Sequence, residues 1–368
     1  MRAVISVIIS FTVLNQSTST AKTAATPERI LELSKAAANC IEMTGSEIAQ
    51  INLQTRLLAF NARIEASRAG SVGQCFGVVA SEMVGLSDRT QKAASGLQNE
   101  SLALIRELSG ICENLATEVR GSRLSDLALG NIDLIDRNLY ERSCDCRWWA
   151  TDGAMVAALT EGGEKAIAFA SERMGVILKA YTVYFDIVLA DRNGRIIANG
   201  NPSDYTSVGK VVADTAWFRT AWNSRNGDQF GFETAHVSPL AGGKRALVYS
   251  CKVCTEGHAD GVPLGVLGVV FRWDALADTI VRSTPVDDVA PEKTRVCIVS
   301  PEGLILADSR GRALEESLRV TEIGTLFKGK KGFGVVSIGG KSHLVGHGFS
   351  PGFETYSTGW HSLVMREI

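Results

Sequence analysis

The stretch "LLAFNARIEASRAGSVGQCFGVVASEM" (57–83) reads as a helix, a four-residue break and a second helix. The break is Gly70-Ser71-Val72-Gly73, and the charges around it, Arg63, Glu65, Arg68 and Glu82, are few and spaced. Ala and Gly crowd both flanks, which gives a hairpin with smooth arms for something to sit against. Upstream of the break, positions 41, 44, 48, 51, 55, 58, 62, 65 and 69 alternate steps of three and four and are mostly small or apolar. Downstream, Val72, Phe76, Val79, Met83, Leu86, Thr90, Ala93 and Leu97 keep the same rhythm. A period of 3.5 marks a coiled-coil seam. The expectation is an antiparallel helical hairpin with arms about 60–70 Å long. Such a thin object does not bury its seam alone, so a homodimer forming a four-helix bundle is expected.

Proline divides the rest of the chain. Between Pro27 and Pro202 there is none, and the others all follow Pro202. Because proline inside a helix costs about 3 kcal/mol, the first half is free to be helical. Thr26-Pro27-Glu28 has the form of a helix start: a hydroxyl cap, proline in the first turn, and an acid near the positive end of the dipole. The segment "RGSRLSDLALGN", with Gly121 and Gly130, is expected to interrupt the helix, which re-forms with Asn131 as its cap. Ile132, Ile135, Leu139, Trp149 and Met155 then make an apolar stripe, broken at Gly162-Gly163 and resumed to about Ala180.

Beyond that the period shortens to that of strands. "VYFDIVLADRNGRIIANG" (183–200) gives two strands around a turn with Asn-Gly at its centre. "TRVCIVSPEGLILADS" (294–309) repeats the layout, and "RALVYSCKV", "PLGVLGVVFRW", "GFGVVSIGG" and "HSLVM" add further strands. A strand–turn–strand unit that occurs twice predicts two similar small α/β modules in tandem.

With 368 residues, 45% of them apolar, the chain has material for more than one core. Its net charge of −2 argues against nucleic acid or an anionic membrane as a partner recognised by bulk charge. The eight cysteines are too scattered for a disulfide scaffold. The opening "MRAVISVIISFTVL" is too short to span a bilayer, and its pattern leaves open a secretory leader, a buried stub or a membrane tether.

The segment "QTRLLAFNARIEASRAGSVGQCFGVVASEMVGLS" (54–87) resembles, without a gap, the signalling tip of bacterial methyl-accepting chemotaxis receptors, and the likeness extends over roughly residues 28–120. By that resemblance Leu53, Phe60, Asn61, Ile64, Glu65 and Arg68 fall where such receptors pack dimers into larger clusters. Val78 falls near where a chemotaxis histidine kinase and its coupling adaptor dock. Four positions depart from the family: Ser71 replaces its acid at the turn, Gln74 and Val84 replace arginines, and Cys75 replaces a glycine. Arg56 and Arg63 add charge where the family has Asn and Ala. Losing complementary charge weakens recognition and slows encounter. The hairpin therefore either couples to the kinase or only dimerises the chain.

The second half resembles a double Cache domain, a tandem of PAS-like sensor modules. The resemblance rests on "YFDIVLADRNGRIIANG", "TAWFRTAW", "LGVLGVVFRWDALA" and the lead-in helix "NLYERSCDCRWWATD". It implies a small-molecule site in the first module, with Trp217, Arg219, Trp222, Tyr249 and Asp274 as its residues and Tyr205 and His236 in reserve. An aromatic wall with one cation and one anion suits an amino acid, an amine or a small carboxylate. The alternative is that the tryptophans are core and Arg219 a solvated helix residue. Cys251, Cys254 and His258 offer a three-ligand corner without an evident fourth ligand, so buried thiols are the simpler expectation and neither metal nor cofactor is expected. Glu65 and Arg68, three apart, make either a surface ion pair or a contact between dimers. No nucleophile–base pair or phosphate-binding loop is evident, so no enzyme is expected.

The expected fold is α plus α/β: a stub (1–26), the coiled-coil hairpin (27–120), connecting and lead-in helices (121–182), a first, ligand-binding module (183–285) and a second module (286–368). The expected function is that of a receptor-like transducer. Its partners would be itself, as a homodimer and in larger clusters, the kinase and adaptor, and a small-molecule ligand. Without a membrane span between hairpin and sensor, a cytoplasmic location is expected.

Overall fold

A computed structural model describes residues 27–286 and 291–368. The apolar stub and the rest of 1–26 lie outside the described residues. The chain divides into two units, with the boundary after Val119.

In the first unit, helix α1 (Pro27–Arg68) starts at the expected proline. A single 3₁₀ turn (Gly70–Gly73) leads into helix α2 (Gln74–Trp149). Gly70 adopts φ +65°, a left-handed conformation that lacks strain only without a Cβ. The arms meet on a different stripe from the one the heptad pattern predicts. Asn52, Ala59, Ala66, Gly73, Ala80 and Ser87 are buried between them, so small and polar residues line the contact. Ile51, Leu58, Phe76, Val79, Met83, Leu86 and Leu97, all on the predicted seam, face outward. The physical reason is packing distance, since Gly, Ala and Ser let antiparallel helices approach more closely than bulky side chains do. The larger side chains remain as an uncovered apolar stripe. Polar contacts cross between the arms: Asn52 Nδ2 donates to Gln91 Oε1 at 3.1 Å, Ser87 Oγ donates to Asn52 O at 3.1 Å, and Arg56 pairs with Asp88 at 3.4 Å.

In the second unit, the expected break at 121–130 is not formed, because α2 runs without interruption to Trp149. Glycine lowers helix propensity by about 1 kcal/mol, which tertiary packing overrides here. At Gly121 the Phe333 ring occupies the space where a side chain would stand. Leu124, Ala128, Ile132, Ile135, Leu139, Cys146 and Trp149 from α2 join a core shared with both modules. Helices α3 (Gly153–Glu161) and α4 (Glu164–Ala180) follow, separated at Gly162-Gly163 as expected.

Two five-stranded sheets complete the unit. The first holds β1 (Tyr184–Asp191), β2 (Ile196–Asn199), β3 (Phe230–Ser238), β4 (Lys244–Cys254) and β5 (Pro263–Arg272), in the order 2-1-5-4-3. The second holds β6 (Thr294–Val299), β7 (Ile305–Asp308), β8 (Lys331–Ile338), β9 (Lys341–Phe349) and β10 (His361–Glu367), in the equivalent order 7-6-10-9-8. Among the described residues every strand pair is antiparallel, so each module is a mixed α plus β unit. Helix α5 (Ala216–Trp222) covers one face of the first sheet, α6 (Trp273–Ser283) follows β5, and α7 (Val320–Phe327) covers the second sheet.

Buried polar side chains fix α2 to both modules. Asp136, fully buried, accepts from Ser350 Oγ (2.6 Å), Gly352 N (2.8 Å), Thr358 N (3.2 Å) and Thr358 Oγ1 (2.8 Å). Tyr184 donates to Asp145, which also pairs with Arg142 at 3.1 Å. The segment Ser350–Trp360 also reaches the first module: the Tyr356 and Tyr249 hydroxyls lie 2.6 Å apart, and the Trp360 ring packs edge-on against Trp273.

Candidate functional site

The first module presents one face of its sheet to α5. Two glycines set the spacing. A Cβ at Gly231 would lie 2.6 Å from Trp217 O, and one at Gly268 would lie 2.9 Å from the Trp217 ring. Helix α5 therefore sits directly on the strands, with Thr215 Oγ1 accepting from Phe218 N at its start. Trp217, Phe218 and Ala221 are buried there with Phe185, Val188, Val248, Val266 and Val270, and Tyr205 and Trp222 pack at the margin.

At that margin aromatic rings and cations meet. Phe185 has the Arg272 guanidinium 4.9 Å and the Lys244 ammonium 5.3 Å from its ring centre, and Tyr205 packs edge-on at 6.2 Å. Arg272 Nε donates to Tyr184 O at 3.0 Å, which fixes its head. The Tyr205 loop is tied down by Asp186, fully buried at a bulge in β1. Asp186 accepts from the backbone N–H groups of Ile187 (2.9 Å), Gly200 (3.1 Å) and Asn201 (3.0 Å), and from Asn199 Nδ2 (2.8 Å). Burial pushes its carboxyl up to about 6, and these donors act against that shift. Chemically the rim offers two cations beside apolar rings, an arrangement suited to a small carboxylate with an apolar tail.

The residues expected from sequence divide between the two faces of the sheet. Trp217 is core beneath α5, and Trp222 is half-buried and stacked parallel on Phe218 at 6.1 Å. Arg219 is exposed on the same helix. Tyr249 faces the other way, in the core shared with α2 and the second module. Asp274 Oδ1 accepts from Ala275 N at the start of α6. The reserve Tyr205 stands at the rim, while His236 is half-buried on β3 with Nδ1 2.9 Å from Thr234 O. Phe185, Lys244 and Arg272 escaped the sequence reading. Strand alternation could have found the two cations, since Arg272 pairs with Ala246 and Lys244 lies two residues away on the same face, whereas the bulge in β1 hides Phe185 from it.

Cys251, Cys254 and His258 do not assemble a site. Cys251 is buried, donates to Gly227 O at 3.0 Å, and has its thiol pushed up to about 12 by burial, whereas His258 is exposed. Among the described residues no three His, Cys, Asp or Glu side chains group to hold a metal ion.

On the hairpin, Leu53, Phe60, Asn61, Ile64, Glu65, Arg68 and Val78 are all exposed. Glu65 and Arg68 pair with each other at 3.0 Å within the helix.

Residues 10–123 match the family model of the methyl-accepting chemotaxis protein (MCP) signalling domain. The N-terminal third thus carries a chemoreceptor signalling domain. This region is 46% identical over 70 residues to the methyl-accepting chemotaxis protein McpS of Pseudomonas putida, a match covering 19% of this chain and 10% of that protein. It is 40% identical over 93 residues to PscA of Pseudomonas syringae, covering 25% of this chain and 14% of that one. The chain thus matches only a small part of these receptors. The ligand-binding domain of the Campylobacter jejuni chemoreceptor Tlp3, solved with 4-methylisoleucine, superposes with a TM-score of 0.53 at 14% identity, covering 68% of this chain and 92% of that domain. Another structure of the Tlp3 sensory domain gives a TM-score of 0.51 at 15% identity, covering 68% and 94%. The fold downstream of the signalling domain is that of chemoreceptor sensory domains, two Cache-like modules in tandem. Among the described residues no helix is long and apolar enough to cross a membrane.

Proposed function

We propose that this chain works as a dimeric transducer in which a small carboxylate binds the first module at the Phe185–Tyr205–Lys244–Arg272 rim. Binding changes the packing of the hairpin, and through it the activity of a chemotaxis histidine kinase and its adaptor on the cytoplasmic side. The observation that carries this reading is helix α2: the same element begins at the signalling turn and ends in the core of the first module. A ligand moves such an equilibrium only by its difference in affinity for two packings, and a hundredfold difference is about 2.7 kcal/mol.

Dimerisation follows from the uncovered apolar stripe, which includes a groove of about 200 Å³ whose lining includes Ile41, Ile48, Ala94 and Leu97. A second copy covers it. Sedimentation of the full chain is expected to show dimers, and single chains at all concentrations would remove this part of the reading.

The ligand is tested first with aliphatic amino acids, the class found in Tlp3, and then with amines and organic acids. A ligand at about 100 times its dissociation constant stabilises by about 2.7 kcal/mol. Its thermal shift should vanish in Lys244→Ala, which leaves the buried face intact. Adding the liganded chain to a reconstituted kinase–adaptor mixture then separates two readings. A ligand-dependent change in autophosphorylation supports coupling. No change leaves a ligand-binding protein whose hairpin only dimerises it, the reading that Ser71, Gln74, Cys75 and Val84 favour by removing the family's acid at the turn, its glycine and two of its arginines.

A further inference from the structure

The second module carries a polar group inside its apolar face for which the ligand reading has no use. His347 on β9 and His361 at the start of β10 lie beneath α7, with His347 Nε2 2.8 Å from His361 Nδ1. His347 is fully buried and His361 nearly so. Phe327 of α7 stacks flat on His361, with ring centres 3.8 Å apart and planes 2° from parallel. His347 Nδ1 is buried without a hydrogen-bond partner. A neutral pair accommodates this arrangement, one ring donating and the other accepting while the unpartnered nitrogen keeps its lone pair. The N–H···N bond already holds its own proton, so the first proton added goes to His347 Nδ1, which has no acceptor to meet it. A second places two imidazolium rings in contact inside an apolar layer, where neither is solvated.

Among the described residues no carboxylate on this face is available to neutralise that charge. The side chains on the same face follow from strand alternation. On β6 and β7 they include Arg295, Cys297 and Asp308, where Arg295 holds Asp308 in two hydrogen bonds (3.0 and 2.8 Å) and also pairs with Glu316 at 2.7 Å. On β9 they are His343 and Lys341, and on β10 Glu367, which Lys341 binds at 2.9 Å. The β8 positions opposite, Gly332, Gly334 and Val336, carry no titratable group. Helix α7 contributes Lys328 at its end, and the Glu322 side chain lies outside the described residues.

We propose that the His347–His361 pair makes the second module acid-sensitive: protons entering it displace α7 from the sheet. The place of the pair gives this an output. His361 directly follows Ser350–Trp360, the segment that holds Asp136 of α2 and touches the first module, so the device is a second input distinct from the ligand rim. Burial holds both histidines down at about 4, against an ordinary 6.5. The unfolded chain thus binds more protons than the folded one between those values. Stability from the pair is full above pH 6.5 and is lost as pH falls toward 4.

The test uses the full chain with labelled histidine, which has only five such residues. On lowering the pH from 8, the signals of His347 and His361 are expected to stay those of neutral rings well below pH 6.5. The unfolding equilibrium constant should rise by up to tenfold per pH unit for each of the pair. A double variant, His347→Leu with His361→Phe, should lose that dependence. Amide exchange in Val320–Phe327 should quicken on acidification in the natural chain and not in the variant. Titration of His347 and His361 near 6.5, or acid-insensitive exchange in α7, overturns the proposal without needing the variant to fold.

Discussion

Gly346→Ala should lower the stability of the sensory unit by about 3 kcal/mol, because the added methyl collides with the backbone of Leu124 in α2. Backbone does not swing aside as a side-chain tip does, so the helix must lift from β9 or the strand must bend. For a unit of this size such a loss lowers the melting temperature by about 10 °C. Gly348, two residues on, meets α2 in the same way, with Leu129 N only 2.5 Å from a built Cβ. Gly332→Ala on β8 is the control, since nothing lies within 4 Å of its Cβ position. Near-UV circular dichroism against temperature separates the two. Equal small shifts would mean that α2 does not lie against β9 as described.

Asp136→Ala should cost about 4 kcal/mol, for a different reason. It removes the acceptor of four hydrogen bonds, leaving the half-buried donors of Gly352 and Thr358 unmatched and Ser350 Oγ with only Ser357 Oγ. Asp133→Ala, three residues earlier on the same helix, loses only a surface ion pair with Arg137 and should cost under about 0.5 kcal/mol. Because Asp136 joins Ser350–Trp360 to α2, the variant should also alter whatever passes between the modules. Urea denaturation measures the first effect. A ligand-induced change in hairpin protection, weakened in Asp136→Ala under conditions where the protein remains folded, measures the second. If stability fell while that response stayed unchanged, the contact would be purely structural.

What could be read in advance followed from local rules. The turn "ADRNGR" needs a positive φ, Gly194 supplies +74°, and β1 and β2 flank it as expected. The β6–β7 hairpin was equally legible. Strands β3 and β9 were not, because "FGFETAHVS" and "KSHLVGHGF" mix glycine, histidine and charge, and what makes them strands is pairing with distant neighbours. Helix α2 hid for the opposite reason: Gly121 looks like a breaker in isolation and is in fact the seat of Phe333. The site failed on parity. Trp217 and Tyr249 are both aromatic and both buried, but Trp217 sits on α5 and packs on one face of the sheet, while Tyr249 on β4 turns from the other face toward α2, and no local pattern distinguishes the two sides of a fully buried strand. In the hairpin the rhythm of threes and fours was correct and its phase was not. Large side chains mark a seam for an outside partner as readily as one within the chain.

The small-residue contact between α1 and α2 has a mechanical corollary. Alanine, glycine and serine give no knobs to interlock, so lengthwise slip of one arm past the other meets little steric resistance. Asn52, Ser87 and Gln91 then act as a detent, with Arg56 and Asp88 as a weaker catch beside them. On this packing, any lengthwise shift of one arm against the other has to break that polar notch before anything else.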